Sequence, residues 1–287
     1  MTFLPASQPA PPEQELALPD FQAIAAIALR EFGLSLPVSK RQLVQSRLAR
    51  RLRTLGLQGF GAYRALLESE GGAQELPMLL SALTTNVTRF FREIHHFDLL
   101  LDQVMPALVA RARAGDRVRI WSAACSSGQE PYSIALTALK IDPGIGRCNF
   151  KILATDIDPV IVEKARRAQY NAQEIAGISQ RYFRPADVVH RPNGIEGTFT
   201  LAPEVKDLIT FGVLNLIAEP PFSGPFDVIF CRNVAIYFDR PTQQRVWRRL
   251  SGLLSRHGML FIGHSERIPK SDCPELETAG ITVYQKT

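Results

Sequence analysis

The sequence predicts an α/β fold with a parallel sheet and a small inserted β subdomain, preceded by an all-α N-terminal domain. Apolar residues recur at helical spacing from Pro19 to about Leu83. Beyond residue 116, strand-like apolar runs alternate with helical patterns, which is typical of a parallel sheet. Residues 178–207 interrupt this alternation over a stretch too long for a simple connection, so we predict a β insert there.

The composition is that of a globular protein with one large domain or two unequal ones. The chain has 287 residues, 46% of them hydrophobic, and a formal net charge of +5. No apolar stretch approaches the ~20 residues that span a bilayer, and no secretory signal pattern opens the sequence. The four cysteines are widely spaced and form no CxxC or Cys/His cluster. We therefore expect a reduced, cytoplasmic protein without a metal site and without direct membrane insertion.

The N-terminal part divides into a tail and a helical domain. Residues 1–18 are rich in Pro, Ala and Gln without periodicity, which predicts a disordered tail, and residues 19–83 form the helical domain. The segment Ser39–Leu55 is predicted to be an amphipathic helix ending at Gly56. Its apolar face consists of Val44, Leu48, Leu52 and Leu55.

The same helix carries a basic cluster whose window contains no Asp or Glu. The basic side chains assigned to this surface are Lys40, Arg47, Arg50, Arg51 and Arg53. A solvated helix face normally interleaves acids for i,i+4 pairing, and their absence favours docking on an anionic partner. An ordinary solvated face explains the pattern about equally well, so both readings stay open.

The C-terminal part, residues 93–287, is predicted to be the α/β domain, joined to the helical domain by the linker Thr84–Arg92. Strands are predicted at Arg117–Ser122, Phe150–Thr155, Ile209–Val213, Phe226–Cys231, Gly258–Gly263 and Ile281–Gln285. Helices are predicted at Glu130–Lys140, Pro159–Ala168 and Pro241–Ser255, and strand-like runs of the insert at Asp187–His190 and Thr198–Leu201.

Polar residues follow several of these strands, where open α/β sheets bind ligands. Small residues and Gly128 follow the first strand, although the strict GxGxxG spacing is absent. Asp156 follows the second strand, where a carboxylate can accept hydrogen bonds from the hydroxyls of a ribose. Asp158 is the expected N-cap of the helix that begins at Pro159.

Three further positions allow a functional and a structural reading. Within the run FDVIFCRNVAIYF, Arg232 and Asn233 follow the strand and Tyr237 lies just beyond, and Arg232 is either a site residue or a cap on backbone carbonyls. Glu130 either stabilises its helix through the favourable interaction of a negative charge with the helix N-terminus, or pairs with a cationic cofactor group. The pair Asn215–Leu216 either contacts a purine or forms an ordinary turn.

The motifs TTNVTRFFRE, WSAACSSGQEPYS, ATDID, VLNL, FDVIFCRNVAIYF and GHSE together resemble the chemotaxis receptor methyltransferase (CheR) family. The resemblance runs from about Phe21 to Tyr284. It implies an α/β Rossmann-like sheet that binds S-adenosylmethionine (AdoMet), a small inserted β subdomain and an N-terminal all-α domain. It also implies methyl esterification of glutamate side chains on the cytoplasmic domains of chemoreceptors, with S-adenosylhomocysteine as the second product.

The resemblance further implies roles for individual residues. Arg92 and Tyr237 match positions beside the reacting methyl group, and the linker thereby contributes to the site. The basic helix matches a surface that meets the acidic receptor bundle, and the insert matches one that in some members binds a receptor C-terminal peptide. The cofactor contacts implied are Asn86, Thr88, Arg92, Glu130, Asp156, Asn215, Leu216, Arg232 and Asn233.

Two departures from the family pattern concern the insert. Ala168 stands where many members have glycine before the tyrosine that is Tyr170 here, and the insert differs in length on both sides of Arg181–Phe183. Because of these departures, the resemblance leaves open whether the insert of this chain binds a receptor C-terminal peptide.

The expected chemistry needs alignment more than proton transfer. A glutamate with a pKa of ~4.3 is already ionised at neutral pH, so its methylation requires no general base. Arg92 and Tyr237 are expected to hold the reactants in line, while His95 and His96 are expected to pack or face solvent. Two alternatives are an RNA methyltransferase, for which no recognised nucleic-acid motif is present, and an AdoMet sensor without turnover.

Overall fold

The computed structural model describes residues 15–190 and 197–287, and the chain divides into two compact units, 1–84 and 85–287. The predicted linker residues from Thr85 onward belong to the second unit. The division falls one residue beyond the predicted end of the helical domain at Leu83, so Thr84, the first residue of the predicted linker, belongs to the first unit.

The first unit is helical, as predicted. Val44, Leu48 and Leu52 are buried, as the amphipathic pattern requires, and Gly56 ends their helix in the left-handed conformation with φ of 67°. One 3-10 turn, Val38–Lys40, precedes that helix. The helices are α1 Leu18–Phe32, α2 Arg41–Leu55, α3 Phe60–Glu68 and α4 Gly72–Leu83.

The predicted tail, residues 1–18, extends too far. Helix α1 begins at Leu18, and Leu16 is fully buried while its N–H donates to Gln45 Oε1 at 2.9 Å. The Pro- and Ala-rich composition does not reveal this contact because its acceptor, Gln45 in α2, is 29 residues away in the chain. Residues 1–14 lie outside the described part of the chain.

The second unit contains a large mixed sheet and a small antiparallel one. Its helices are α5 Ile94–Leu99, α6 Met105–Arg113, α7 Gln129–Ile141, α8 Pro159–Arg167, α9 Gln173–Ala176, α10 Pro203–Lys206 and α11 Arg240–Leu253. Its strands are β1 Val118–Ala123, β2 Phe150–Asp156, β3 Gln169–Asn171, β4 Val188–His190, β5 Thr198–Leu201, β6 Ile209–Val213, β7 Phe226–Cys231, β8 Leu254–Ile262, β9 Leu276–Gly280 and β10 Val283–Lys286.

The large sheet has seven strands in the order β6-β2-β1-β7-β8-β10-β9. Strands β6, β2, β1, β7 and β8 are parallel, whereas β10 runs antiparallel to both β8 and β9. The prediction of a parallel sheet therefore holds for five strands and missed the antiparallel edge. Strand β9 gives no apolar alternation because three of its five residues are exposed.

Both faces of this sheet are covered, as expected for a parallel α/β sheet. Successive residues of β1 show the division: Ile120 joins the apolar cluster that includes residues of α6 and α7, and Trp121 joins the cluster that includes α11. With both faces packed, ligands have access to the sheet at the ends of its strands.

The insert is a three-stranded antiparallel sheet in the order β3-β5-β4. It begins at Gln169, so the predicted range 178–207 missed its first strand. Ala168 enters it with φ of 50°, a left-handed conformation that glycine adopts more easily. Tyr170 then anchors the first strand, since its hydroxyl donates to the backbone oxygen of Ser127 at 2.7 Å. Residues 191–196 of the predicted insert lie outside the described residues.

Candidate active site

The candidate site lies at the carboxyl ends of β2, β1 and β7, which are neighbours in the sheet. Ala123 at the end of β1 is paired in register with Thr155 on one side and with Cys231 on the other. The next residues along β2 and β7 are Asp156 and Arg232, so the topology brings both predicted site residues to one edge.

Asp156 is buried at 7% exposure and holds the loop that follows β1. Its Oδ2 accepts from the N–H of Ser126 at 2.8 Å, and its Oδ1 accepts from the N–H of Asp158 at 3.1 Å. Burial raises the pKa of the Asp156 carboxyl, and these N–H groups act against the rise. Asp158 caps α8 as predicted, because its Oδ1 accepts from the N–H of Val160 at 2.9 Å.

Arg232 is buried at 6% exposure and contacts both a backbone carbonyl, as the capping alternative expects, and a carboxylate. Its Nη2 donates to the backbone oxygen of Arg92 at 2.6 Å, and its Nε lies 3.2 Å from Glu130 Oε2. The aromatic rings of Phe97 and Phe230 lie within 6 Å of its guanidinium carbon, with centroid distances of 5.8 and 5.9 Å. Arg232 therefore joins the linker residue Arg92 to the first turn of α7.

Glu130 completes this buried ion pair. Its Oε1 accepts from the hydroxyl of Ser122 in β1 at 2.7 Å. Burial raises the pKa of the Glu130 carboxyl, while the Arg232 cation lowers it. A carboxylate and a guanidinium side by side at low exposure can bind a ligand that carries both an ammonium and a carboxylate group.

The linker segment packs against the loop after β1. The hydroxyl of Ser126 donates to the backbone oxygen of Asn86 at 3.1 Å, and the N–H of Phe91 donates to Ser133 Oγ at 2.9 Å. The Arg92 side chain is 28% exposed and donates through Nη1 to the backbone oxygen of Val87 at 3.0 Å. These contacts place the linker beside the loop that follows β1, and its contribution to the site stays a prediction.

An open cleft of about 460 Å³ lies beside this segment. Thr88 and Arg92, both predicted site residues, line it. Its other lining residues are Val87, Arg89, Glu93 and His264.

Glu266 organises the loop after β7, and sequence reasoning did not assign it a role. Its Oε1 accepts from the N–H groups of Val234 and Ala235 at 3.0 and 2.7 Å. Its Oε2 accepts from those of Asn233 and Gly263 at 3.0 and 2.6 Å. The available signal was the acid within GHSE, which follows a strand that pairs with β7.

Two other predicted site residues, Asn233 and Tyr237, belong to the loop whose N–H groups Glu266 binds. Asn233 is left-handed with φ of 58°, and its Nδ2 lies 3.3 Å from Glu93 Oε1. Tyr237 is half-buried in the 3-10 turn Ala235–Tyr237. Glu93 and His264 are further residues that the motif reading missed, and His264 Nδ1 lies 3.1 Å from Glu93 Oε1.

The pair Asn215–Leu216 follows β6 and takes the structural form left open by the sequence. Asn215 Oδ1 accepts from the N–H of Ile217 at 3.1 Å, which is an Asn turn. Leu216 is 8% exposed and packs in the apolar cluster with Trp121. A purine contact by this pair stays a prediction.

The basic residues predicted to form one surface on α2 differ in their exposure and in their hydrogen-bond partners. Arg51 donates through Nε and Nη2 to the two oxygens of Glu75 at 2.8 and 2.6 Å. Arg47 donates to the backbone oxygen of Leu83. Arg50 and Arg53 are exposed, and Lys40 is half-buried. The expectation of Arg51 on an acid-free surface is therefore wrong, because its acid comes from α4 and not from its own window.

Comparison with known proteins identifies the family. The profile described as CheR methyltransferase, SAM binding domain matches residues 86–284, and the one described as CheR methyltransferase, all-alpha domain matches residues 19–84. The chain belongs to the CheR methyltransferase family. It is an AdoMet-dependent methyltransferase of chemotaxis, as the resemblance implied.

Curated relatives match over almost their whole length. A probable chemotaxis protein methyltransferase of Rhizobium etli is 50% identical over 89% of this chain and 95% of its own. The chemotaxis protein methyltransferase of Escherichia coli is 44% identical over 94% of this chain and 92% of its own. Among the described residues, no helix combines the length and the apolar character needed to cross a membrane.

Proposed function

We propose that this methyltransferase esterifies glutamate side chains on the cytoplasmic domains of chemoreceptors and yields glutamate methyl esters and S-adenosylhomocysteine. The observation that carries the proposal is the buried Glu130–Arg232 pair, at 3.2 Å, joined through the Arg92 backbone to an open cleft. The proposed location of this activity is the cytoplasm.

The residues at the sheet edge fit AdoMet. Glu130 and Arg232 offer opposite charges for the ammonium and carboxylate of its amino-acid end, and Asp156 offers a carboxylate for its ribose. Glu93 Oε2 and Arg232 Nε are buried without a hydrogen-bond partner, so both have bonding capacity left for a ligand. The proposed cofactor contacts are Asn86, Thr88, Arg92, Glu130, Asp156, Asn215, Leu216, Arg232 and Asn233.

The proposed catalytic residues are Arg92 and Tyr237. When bound, AdoMet supplies a methyl group on a cationic sulfur. The acceptor carboxylate is ionised at neutral pH, so no residue needs to remove a proton. Arg92, whose side chain faces the cleft, would hold the carboxylate by paired hydrogen bonds, and the Tyr237 hydroxyl would donate to it and help to keep it in line.

Two surfaces are proposed to bind receptors. The exposed guanidinium groups of Arg50 and Arg53 support docking of an acidic helical bundle on α2, with Lys40 and Arg47 beside them. Arg51 contributes by holding Glu75, not by docking. The insert ends in two edge strands, β3 and β4, to which an extended receptor C-terminal peptide could add as a further strand.

The test is transfer of labelled methyl from AdoMet to purified receptor cytoplasmic fragments, with RNA as a parallel substrate. We expect base-labile label on receptor glutamates. Arg92→Ala should lose roughly 2–4 kcal/mol of transition-state stabilisation, as expected for a preorganised electrostatic contact. The exposed residue Arg117 provides the matched control, and Arg117→Ala should retain the wild-type rate.

The outcomes separate the alternatives. Label on RNA alone would assign the basic helix to phosphate binding and contradict the proposal. AdoMet binding without transfer to any receptor fragment would favour the sensor. Asp156→Ala with unchanged AdoMet affinity would remove the ribose assignment while leaving the activity in place.

A further inference from the structure

His96 lies beside Arg232 and next to the cleft residue Glu93, whose Oε2 is 3.5 Å from His96 Nδ1. It is fully buried in the first turn of α5. Its Nδ1 lies 3.3 Å from Arg232 Nη1. Its Nε2 lies 3.1 Å from the backbone oxygen of Ile281 and 2.9 Å from Thr282 Oγ1, in the turn between β9 and β10. The imidazole thus bridges the cofactor-side arginine and the C-terminal hairpin.

These partners determine which nitrogen carries the proton. The Ile281 oxygen can only accept, and the Thr282 hydroxyl already donates to that oxygen at 2.7 Å. Nε2 is therefore protonated and donates to both. A neutral ring carries one N–H, so Nδ1 has a lone pair that accepts from Arg232 and donates nothing to its other neighbour, Glu93 Oε2. Burial and the Arg232 cation lower the pKa of His96 to about 3, which keeps the ring neutral.

Arg232 has few other ways to satisfy this donor. Its side chain is 2% exposed, Nη2 is engaged with Arg92, and Nε faces Glu130. The surrounding rings of Phe97 and Phe230 offer no oxygen or nitrogen acceptor, and the nearby carboxylate oxygen Glu93 Oε2 lies 4.0 Å from Nε. Without an acceptor at the position of Nδ1, Nη1 is a buried unpaired donor, and rotation of the guanidinium to relieve this would disturb the contacts to Arg92 and Glu130.

We propose that His96 is a positioning residue, which holds the Arg232 guanidinium in the orientation that binds AdoMet. The inference rests on the proposed role of Arg232 as a cofactor contact. His96 acts through Arg232 and touches neither reactant.

The same ring belongs to a group that could ligate a metal. Ligand atoms of Glu93, His95 and His96 lie within 4.8 Å of one another. The lone pair of His96 is directed at a guanidinium cation, and this cation would repel a second one beside it. Positioning of Arg232 is therefore the better use of this histidine.

Two substitutions separate the two ends of the imidazole. In His96→Asn, the amide oxygen takes about the place of Nδ1 and can still accept from Arg232. In His96→Gln, the amide nitrogen takes about the place of Nε2 and can still donate to Ile281, but the acceptor for Arg232 is lost. Both variants place a neutral amide in the same buried position, so a general packing role would not favour Asn.

The measurements are AdoMet affinity by titration calorimetry and the split between KM and kcat, with folding checked by thermal unfolding. His96→Gln should weaken AdoMet binding by about tenfold or more, whereas His96→Asn should stay within about threefold of wild type. Equal affinities, or weaker binding by the Asn variant, would overturn the proposal. Failure of the wild type to bind AdoMet would instead contradict the proposed site itself.

An independent readout needs no variant. In ¹⁵N-histidine NMR spectra of the wild-type protein, His96 should show a protonated Nε2 and an unprotonated Nδ1 across neutral pH. A protonated Nδ1 could not accept from Arg232 and would overturn the proposal even if the substituted proteins did not fold.

Discussion

At the scale of single residues, neighbouring charged side chains in this protein differ in role: some pair with buried acids, and others are exposed to solvent. Arg51 and Arg50 are neighbours in α2, yet Arg51 is bonded to both oxygens of Glu75 and Arg50 is exposed. Tyr63 also donates to Glu75 Oε1, at 2.8 Å. Glu75 and Tyr63 are buried, so Arg51 neutralises a carboxylate inside the helical unit.

Removal of Arg51 should therefore destabilise the helical unit. We expect Arg51→Ala to lower the free energy of unfolding by about 3 kcal/mol, since it leaves Glu75 buried without its cation. Arg50→Ala should change stability by less than about 0.5 kcal/mol. Urea unfolding, followed by circular dichroism, measures both. If the two variants were equally stable, Arg51 would be an ordinary surface charge after all.

The Arg50 variant also tests the docking proposal. Arg50→Ala should raise the KM for the receptor at unchanged stability. A normal receptor KM for this variant would place the docking surface elsewhere.

At the scale of elements, the site depends on how the ends of β7 and β8 meet. Glu266 accepts hydrogen bonds from the N–H of Asn233, in the loop after β7, and from the N–H of Gly263, which follows β8. It thereby holds the ends of the two strands together. Gly263 has no room for a side chain: a Cβ there would lie 2.5 Å from Asn233 Nδ2 and 2.7 Å from Asn233 N. Asn233 directly follows Arg232, so this close approach lies next to the Glu130–Arg232 ion pair.

Gly263→Ala should displace Asn233 and so weaken AdoMet binding, with an overpacking cost of about 1–3 kcal/mol in stability. Gly252 in α11 is the control, since a Cβ there meets nothing within 4 Å. Gly252→Ala should raise stability by about 0.5–1 kcal/mol and leave AdoMet affinity unchanged. Calorimetric titration and thermal unfolding of both variants decide the matter. Unaltered binding by the Gly263 variant would show that the loop can move without loss.

At the scale of the whole molecule, the charges divide into an exposed set and a buried set. The formal net charge is +5, and part of it lies on exposed side chains such as Arg50 and Arg53. The Glu130–Arg232 pair, by contrast, has side-chain exposures of 11% and 2%. Salt screens exposed charges strongly and buried pairs weakly.

Receptor methylation should therefore be more sensitive to salt than cofactor binding. Between about 50 and about 300 mM salt, we expect the receptor KM to rise several-fold and the AdoMet dissociation constant to change by less than about twofold. Steady-state kinetics and calorimetry over the salt series measure the two. A receptor KM that does not change with salt would mean that docking does not rely on the exposed basic residues. If docking does rely on them, Arg50→Gln should reduce the dependence of the receptor KM on salt.

The sequence by itself determined the elements that carry local signals. Strands β6 and β7 match their predicted bounds because each is a short run of mostly apolar, β-branched or aromatic residues with clear ends. Asp156 and Arg232 were recognisable because polar residues directly after such strands lie at the ligand-binding edge. The family membership was also readable, since its motifs lie in these same segments.

Only the tertiary structure decided the contacts between residues far apart in the chain. The acid that pairs with Arg51 is 24 residues away, and the histidine that faces Arg232 is 136 residues away. Neither pairing has a periodic or local pattern. Strand β9 was hidden for a related reason, because its partner β10, not its own sequence, makes it a strand. Local chemistry thus placed the elements and the edge of the site, and long-range packing decided which charges are partners and which remain available for a ligand.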